Sequence, residues 1–404
     1  MTTTSIAADL GRWAARLAPS AADLALARRS LLDTVATTVA AYDDPLRAMV
    51  GGLPDAGRWA ALGHVLDFDD LHMESTAHIS VVCVPATLAC RGDARAYLAG
   101  AGVMARLGTA LGWGHYASGW HATCTTGAAG AAVAAGVSLG LDETQLAHAI
   151  ALAVPASGGV QRAFGTPAKS LQVGFAADAG VRAARLVAAG ATADLSAVEQ
   201  WLELVGGDPA GVDLSGPAVP GGLAIKLFPC CYAMQRPIAA TRELLERGVT
   251  ATDVAHLVVR APAATLHPLI HHRPQTGLEG KFSLEYAVAA TLLDAYPGFA
   301  SFFDDAVARP EAQDLLRRVT VETTPDGAGL LSGTLELTAV MTDGTHHTAT
   351  VDLPPGSPLR PPTDAELADK AAACGGDLSA LTWVTAADLL AERYPASAVP
   401  AVVA

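Results

Sequence analysis

Over the first 250 residues, apolar positions recur at three- and four-residue spacing. Ala21-Ala22-Asp23-Leu24-Ala25-Leu26-Ala27 continues in that spacing through Leu31-Leu32, which predicts a helix. The same period predicts helices over 94–111, 127–140, 143–153, 171–189, 195–205 and 236–247, with Asp142 and Thr250 as caps near helix starts. Near Val254 the pattern changes. Ala255-His256-Leu257-Val258-Val259-Arg260 and Val319-Thr320-Val321-Glu322-Thr323 predict strands, and runs over 334–340 and 345–351 flank Asp343-Gly344, a hairpin signal. A helix over 283–296 lies between the first two strands, and helices return from Asp364. These elements predict a mainly α chain. Residues 1–250, completed by the C-terminal tail 361–404, form a large all-helical domain, and 251–360 form a smaller α+β domain.

Composition narrows the function. Of 404 residues, 51% are apolar, and Asp+Glu outnumber Lys+Arg by 40 to 26, a formal charge of −14. That balance argues against a nucleic-acid partner and against an anionic membrane surface. The stretch 108–141 carries no charge, but His115, Tyr116, Ser118, His121, Thr123, Thr125 and Thr126 make it a buried helix rather than a membrane span. Six cysteines without zinc spacing and an N-terminus without an apolar leader point to the cytoplasm. Only four lysines occur, Lys169, Lys226, Lys281 and Lys370, against 22 arginines. A chain so poor in lysine invites the reading that lysine is kept where a compact ammonium is needed.

Asp67-Phe68-Asp69-Asp70-Leu71-His72-Met73-Glu74 follows an apolar helical run, with His78 close behind. Two chemistries fit. Asp69, Asp70 and Glu74 could hold Mg²⁺, as the acidic motif of terpenoid cyclases does; alternatively, one Asp and His78 act as polar catalytic groups with no metal. His121 sits in a Gly/Ser/Thr-rich loop before a predicted helix start, which attracts anions. Lys169 precedes another helix, and Lys226 has wholly apolar neighbours. Lys281 and Glu285 stand one turn apart, either as a surface pair or as part of a pocket. Three lysines in such settings fit a pocket for a carboxylate. No phosphate loop, dinucleotide fingerprint or nucleophile elbow is present, and His271-His272 and His346-His347 are read as solvent-facing.

Five motifs follow one another: Leu66-Asp67-Phe68-Asp69-Asp70 with His78, Gly119-Trp120-His121, Phe164-Gly165-Thr166-x-Ala168-Lys169, Lys226-x-Phe228-Pro229-Cys230-Cys231, and Lys281-Phe282-Ser283-x-x-Tyr286. The series resembles the MmgE/PrpD family, which includes 2-methylcitrate dehydratase, cis-aconitate decarboxylase and iminodisuccinate epimerase. The resemblance implies an all-helical domain with an α+β lid, a homodimer, and a lyase without cofactor or metal acting on a small carboxylate, dehydration first. Carried over residue by residue, it assigns Asp67, His78, His121, Lys169, Lys226 and Tyr286 to catalysis. Asp70, His72, Gln235 and Lys281 are assigned to substrate binding. Departures stand at Leu71, where the family has Thr, at Ile79, where it has Pro, and at Gln235, where it has His. The rivals are the Mg²⁺-dependent cyclase and an inactive family member that only binds.

Overall fold

The computed structural model describes residues 5–397 apart from 326–328, 331, 377 and 379. Helix starts follow local side-chain chemistry. Ser20 and Asp142 each close a capping box with the residue three positions on, Asp23 and Gln145, and open the helices Ala21–Ala40 and Glu143–Ala153. Thr250 opens none. Its hydroxyl meets Thr252 and Asp253 in the turn ahead of the first strand.

The bundle is built round the buried helix Ala122–Ser138, which packs between Ala94–Ala117 and Ala168–Ala188. Small residues set the spacing. A Cβ on Gly180 would lie 2.4 Å from the Ala128 carbonyl oxygen, and one on Gly174 would lie 2.5 Å from that of Gly57. The second contact locks Ala168–Ala188 against the helix Asp55–Val65, which brings the start of one to the end of the other. A further helix, Ser80–Ala89, was not expected. Its run is apolar on every side and contains Pro85, so the sequence has no polar face to betray a period.

The sheet has the order β2-β1-β3-β4, with β1 Val254–Pro262, β2 Val319–Thr324, β3 Leu335–Met341 and β4 His346–Val351. β1 and β2 are parallel, so the chain must cross over between them; the helices Leu284–Asp294 and Pro310–Arg318 do so. β3 and β4 form the hairpin expected at Asp343-Gly344, where Gly344 has φ +85°. Leu257, Val259, Leu335, Leu337 and Ala339 are buried beneath the helices. The helix Gln235–Glu246 packs on β3, β4 and Leu284–Asp294. The core of the α+β unit therefore begins before residue 250, earlier than the change of period suggests. The C-terminal helices Asp364–Ala373 and Trp383–Arg393 return to the bundle, both against Ala21–Ala40. The fold is mainly α. Among the described residues, no helix is long and apolar enough to cross a membrane.

Candidate active site

The helix Asp55–Val65 ends in the middle of the protein rather than at its surface. Asp67 takes the position after the C-cap with φ +53°, a left-handed conformation usually left to Gly, with Asp and Asn the common substitutes. Such a terminus presents free carbonyl groups and a negative dipole end, and here acids add to it. Lysine supplies the compensation. Lys281 Nζ donates to the Leu66 carbonyl (2.5 Å), Lys226 Nζ to that of Asp67 (2.9 Å) and Lys370 Nζ to that of Phe68 (2.7 Å). Lys226 and Lys169 also converge on Asp67 Oδ1, at 2.9 and 3.0 Å. All four lysines of the chain are thus buried round one three-residue segment. Two ammonium groups beside Asp67 outweigh its desolvation and hold its carboxyl well below the usual range.

Asp69 organises the histidines. Its Oδ2 accepts from His64 Nδ1 at 2.8 Å, and His78 Nδ1 approaches the same oxygen at 3.0 Å, out of line for a full hydrogen bond. Lys169 Nζ donates to His64 Nε2 at 2.6 Å, so the proton of His64 must sit on Nδ1. The Asp69 carboxylate favours the same tautomer in His78, which leaves His78 Nε2 as an acceptor. His121 is the opposite case. Gln172 Oε1 accepts from the Val160 amide at 3.0 Å, which fixes that side chain so that Nε2 donates to His121 Nδ1 at 2.7 Å. The proton of neutral His121 then lies on Nε2. Burial lowers the pKa of His64 to about 4, and burial likewise holds His78 and His121 below the ordinary imidazole value.

Asp67, His78, His121 and Lys169 line one small cavity, closed by Leu71, Thr76, Tyr116 and Phe164 and, from the α+β side, by Cys231, Tyr232 and Phe282. Its volume is about 20 Å³, room for about one water. An acceptor imidazole, a donor imidazole and an ammonium around one apolar-walled space can take a proton from carbon, return one, and hold a carboxylate.

Two family domains match the chain: the MmgE/PrpD N-terminal domain over residues 55–202 and the MmgE/PrpD C-terminal domain over 228–380. The chain belongs to the MmgE/PrpD family. It is 28% identical over 334 residues to a cis-aconitate decarboxylase of Aspergillus terreus, covering 72% of this chain and 68% of that one. It is also 28% identical over 290 residues to that of Homo sapiens, covering 67% and 59%. The match to that of Mus musculus is 28% over 271 residues, covering 62% and 54%.

Set against the positions carried over from the MmgE/PrpD motifs, the geometry divides them. Asp67, His78, His121 and Lys169 face the cavity. Lys226 is one layer deeper, fully buried beneath Asp67, and its contacts are to that residue rather than to the space. Tyr286 is not at the cavity, because its hydroxyl donates to the Ser301 carbonyl. Three of the expected substrate contacts are also engaged elsewhere. Asp70 accepts from the Ser80 amide and hydroxyl, His72 is held by Ser75 and the Pro220 carbonyl, and Gln235 ties together residues 227, 228 and 230. Lys281 touches Leu66, and its suggested partner Glu285 pairs with His272 instead.

The Mg²⁺ reading fails on geometry: Asp69 holds histidines, Asp70 holds Ser80 and Glu74 is exposed. His64, Asp67, Asp69 and His78 do present ligand atoms within 4.8 Å of one another. Lysine ammonium groups already occupy Asp67 Oδ1 and His64 Nε2, so this donor set is poorly suited to a cation. Sequence reasoning missed His64, Gln172 and the burial of Lys370. A histidine three residues before Asp67, at the end of an apolar helix, was the one available signal.

Proposed function

We propose that the chain is a cofactor-independent lyase acting on a small polycarboxylate by proton transfer alpha to a carboxylate. The observation that carries this reading is the pairing of two neutral histidines of opposite tautomer beside Lys169 at one buried cavity. His78 Nε2 accepts the proton from carbon and His121 Nε2–H delivers one, either to a departing hydroxyl or back to carbon. Lys169 has a third N–H beyond its bonds to Asp67 and His64, and that donor meets the substrate carboxylate as negative charge develops on it. Asp67, clamped between ammonium groups, is a weak base and keeps Lys169 in place. The unit formed by the sheet and its helices acts as the lid, since Tyr232 and Phe282 complete the cavity wall.

Dehydration and epimerisation use both steps; in decarboxylation the C–CO₂ bond breaks in place of the C–H bond, CO₂ leaves, and only the delivery of a proton to the resulting carbanion uses the histidines. The names of the relatives make cis-aconitate the first acid to try. The test is proton NMR in D₂O of the full chain with cis-aconitate, citrate, 2-methylcitrate and iminodisuccinate. The expected result is consumption of at least one acid, with solvent deuterium entering at the carbon alpha to a carboxylate in decarboxylation or epimerisation and the proton at that carbon lost in dehydration. Absence of both consumption and deuterium exchange, with an acid bound, would overturn the reading.

A further inference from the structure

Lys370 lies outside all five motifs, on the helix Asp364–Ala373, among alanines and acidic residues typical of a solvated helix. It is buried instead. Its Nζ lies 2.6 Å from Asp33 Oδ1, donates to the Phe68 carbonyl at 2.7 Å and sits 4.0 Å from the centroid of the Phe68 ring. Asp33, on the helix Ala21–Ala40, is equally buried, and its second oxygen has no partner. A plain buried ion pair would need only the first of these contacts. The second one reaches the active-site segment.

We propose that Lys370, anchored by Asp33, is a positioning residue for the active site, fixing the peptide that leads from Phe68 into Asp69. The Phe68 carbonyl belongs to that peptide, so its direction sets the backbone entering Asp69, whose carboxylate orients His64 and His78. With Asp67 left-handed, the carbonyls of Leu66, Asp67 and Phe68 cannot share one donor, and each takes its own lysine. Removing Lys370 takes away the ammonium that meets both the Phe68 carbonyl and Asp33. A buried peptide then turns toward another partner.

The surroundings also make the position chemically addressable. A cavity of about 260 Å³ opens beside the pair, lined by Leu32, Ala36, Ile225, Leu367, Asp33 and Lys370 among others. A small primary amine can enter it and occupy the place vacated by the Lys370 ammonium in Lys370→Ala.

The kinetic part of the test rests on the lyase reading above. Lys370→Ala should lower kcat about tenfold to a hundredfold, the scale of a misplaced catalytic group, with KM changed less than about threefold. Methylamine or ethylamine should restore kcat in a saturable way, and tetramethylammonium, which has no N–H, should not. A second variant separates positioning from stability. Lys370→Met with Asp33→Leu replaces the ion pair by apolar groups and should fold, yet it still lacks a donor for Phe68 and should remain slow. Wild-type turnover in that double variant would overturn the proposal. Amide hydrogen exchange gives a readout independent of turnover. Residues 66–70 should exchange faster in Lys370→Ala, with Ala94–Ala117 and Ala122–Ser138 unchanged; equal exchange in 66–70 would also overturn it. If the wild type transforms none of the acids, the lyase reading fails and exchange alone decides the role of Lys370.

Discussion

Lys226→Met tests whether the lysines exist to hold Asp67. Methionine fills the space of the side chain but removes the donor to both Asp67 Oδ1 and the Asp67 carbonyl, each 2.9 Å away. Lys169 remains on Oδ1, so the carboxylate keeps one cation, while the carbonyl keeps none. Hydrogen bonds to charged groups contribute about 1.5–3 kcal/mol each, and stripping one partner from a buried pair costs roughly 3–5 kcal/mol. We therefore expect a loss of about 3–5 kcal/mol, read as a lower urea midpoint at unchanged slope in a circular-dichroism titration near neutral pH. Asp67→Asn should also destabilise, by leaving two buried ammonium groups facing a neutral amide. The double variant should cost less than the sum of the singles by at least about 1 kcal/mol, since groups in direct contact couple. The pH dependence has a definite sign. Asp67 has a depressed carboxyl pKa, so the stability it carries is present above the unfolded value near 4 and is lost progressively as pH falls below it. Wild type and Lys226→Met should converge in acid. A loss below about 1 kcal/mol at neutral pH, or additive singles, would refute the argument.

Two further outcomes follow from features away from the lysines. Asp70 has its pKa raised to about 7, first by burial and then by the neighbouring Asp33 charge, so the folded state holds a proton that the unfolded state releases near pH 4. The stability that Asp70 contributes should fall as pH rises from 4 to 7, against the opposite contribution of the buried neutral histidines, so Asp70→Asn should be more stable than wild type at pH 8 but not at pH 4, measured by urea midpoints of both proteins at both values. Gly174→Val should push Ala168–Ala188 away from Asp55–Val65, because its Cβ would meet the Gly57 carbonyl oxygen at 2.5 Å. The expected result is a loss of about 1–3 kcal/mol, with turnover falling by more than the folded fraction does, as Lys169 leaves His64.

Periodicity made most elements legible because they are amphipathic or alternating. Ser80–Ala89 escaped because a helix buried all round has no pattern to show. At the site, the motifs located Asp67, His78, His121 and Lys169, and the fold brings them together. Where motif and geometry part there is a common cause: a side chain's partner lies far off in sequence. Tyr286 reads as a site residue until Ser301 takes its hydroxyl, and Gln235 until the loop at 227–230 uses both ends of its amide. Lys370 sits among alanines in Asp-Ala-Glu-Leu-Ala-Asp-Lys-Ala-Ala-Ala, where no apolar stripe tells the inner face from the outer, and its partner Asp33 is on another helix.

The confinement of every lysine to the interior also decides how the native protein meets reagents. Its outward cations are guanidinium groups, so no lysine amine is offered to acylating labels, to lysine-linking cross-linkers or to a lysine-specific protease. Each of these becomes a detector of opening. Modification at Lys169, Lys226, Lys281 or Lys370 reports that the centre of the molecule has come apart, and the order in which the four react tells which wall gives way first.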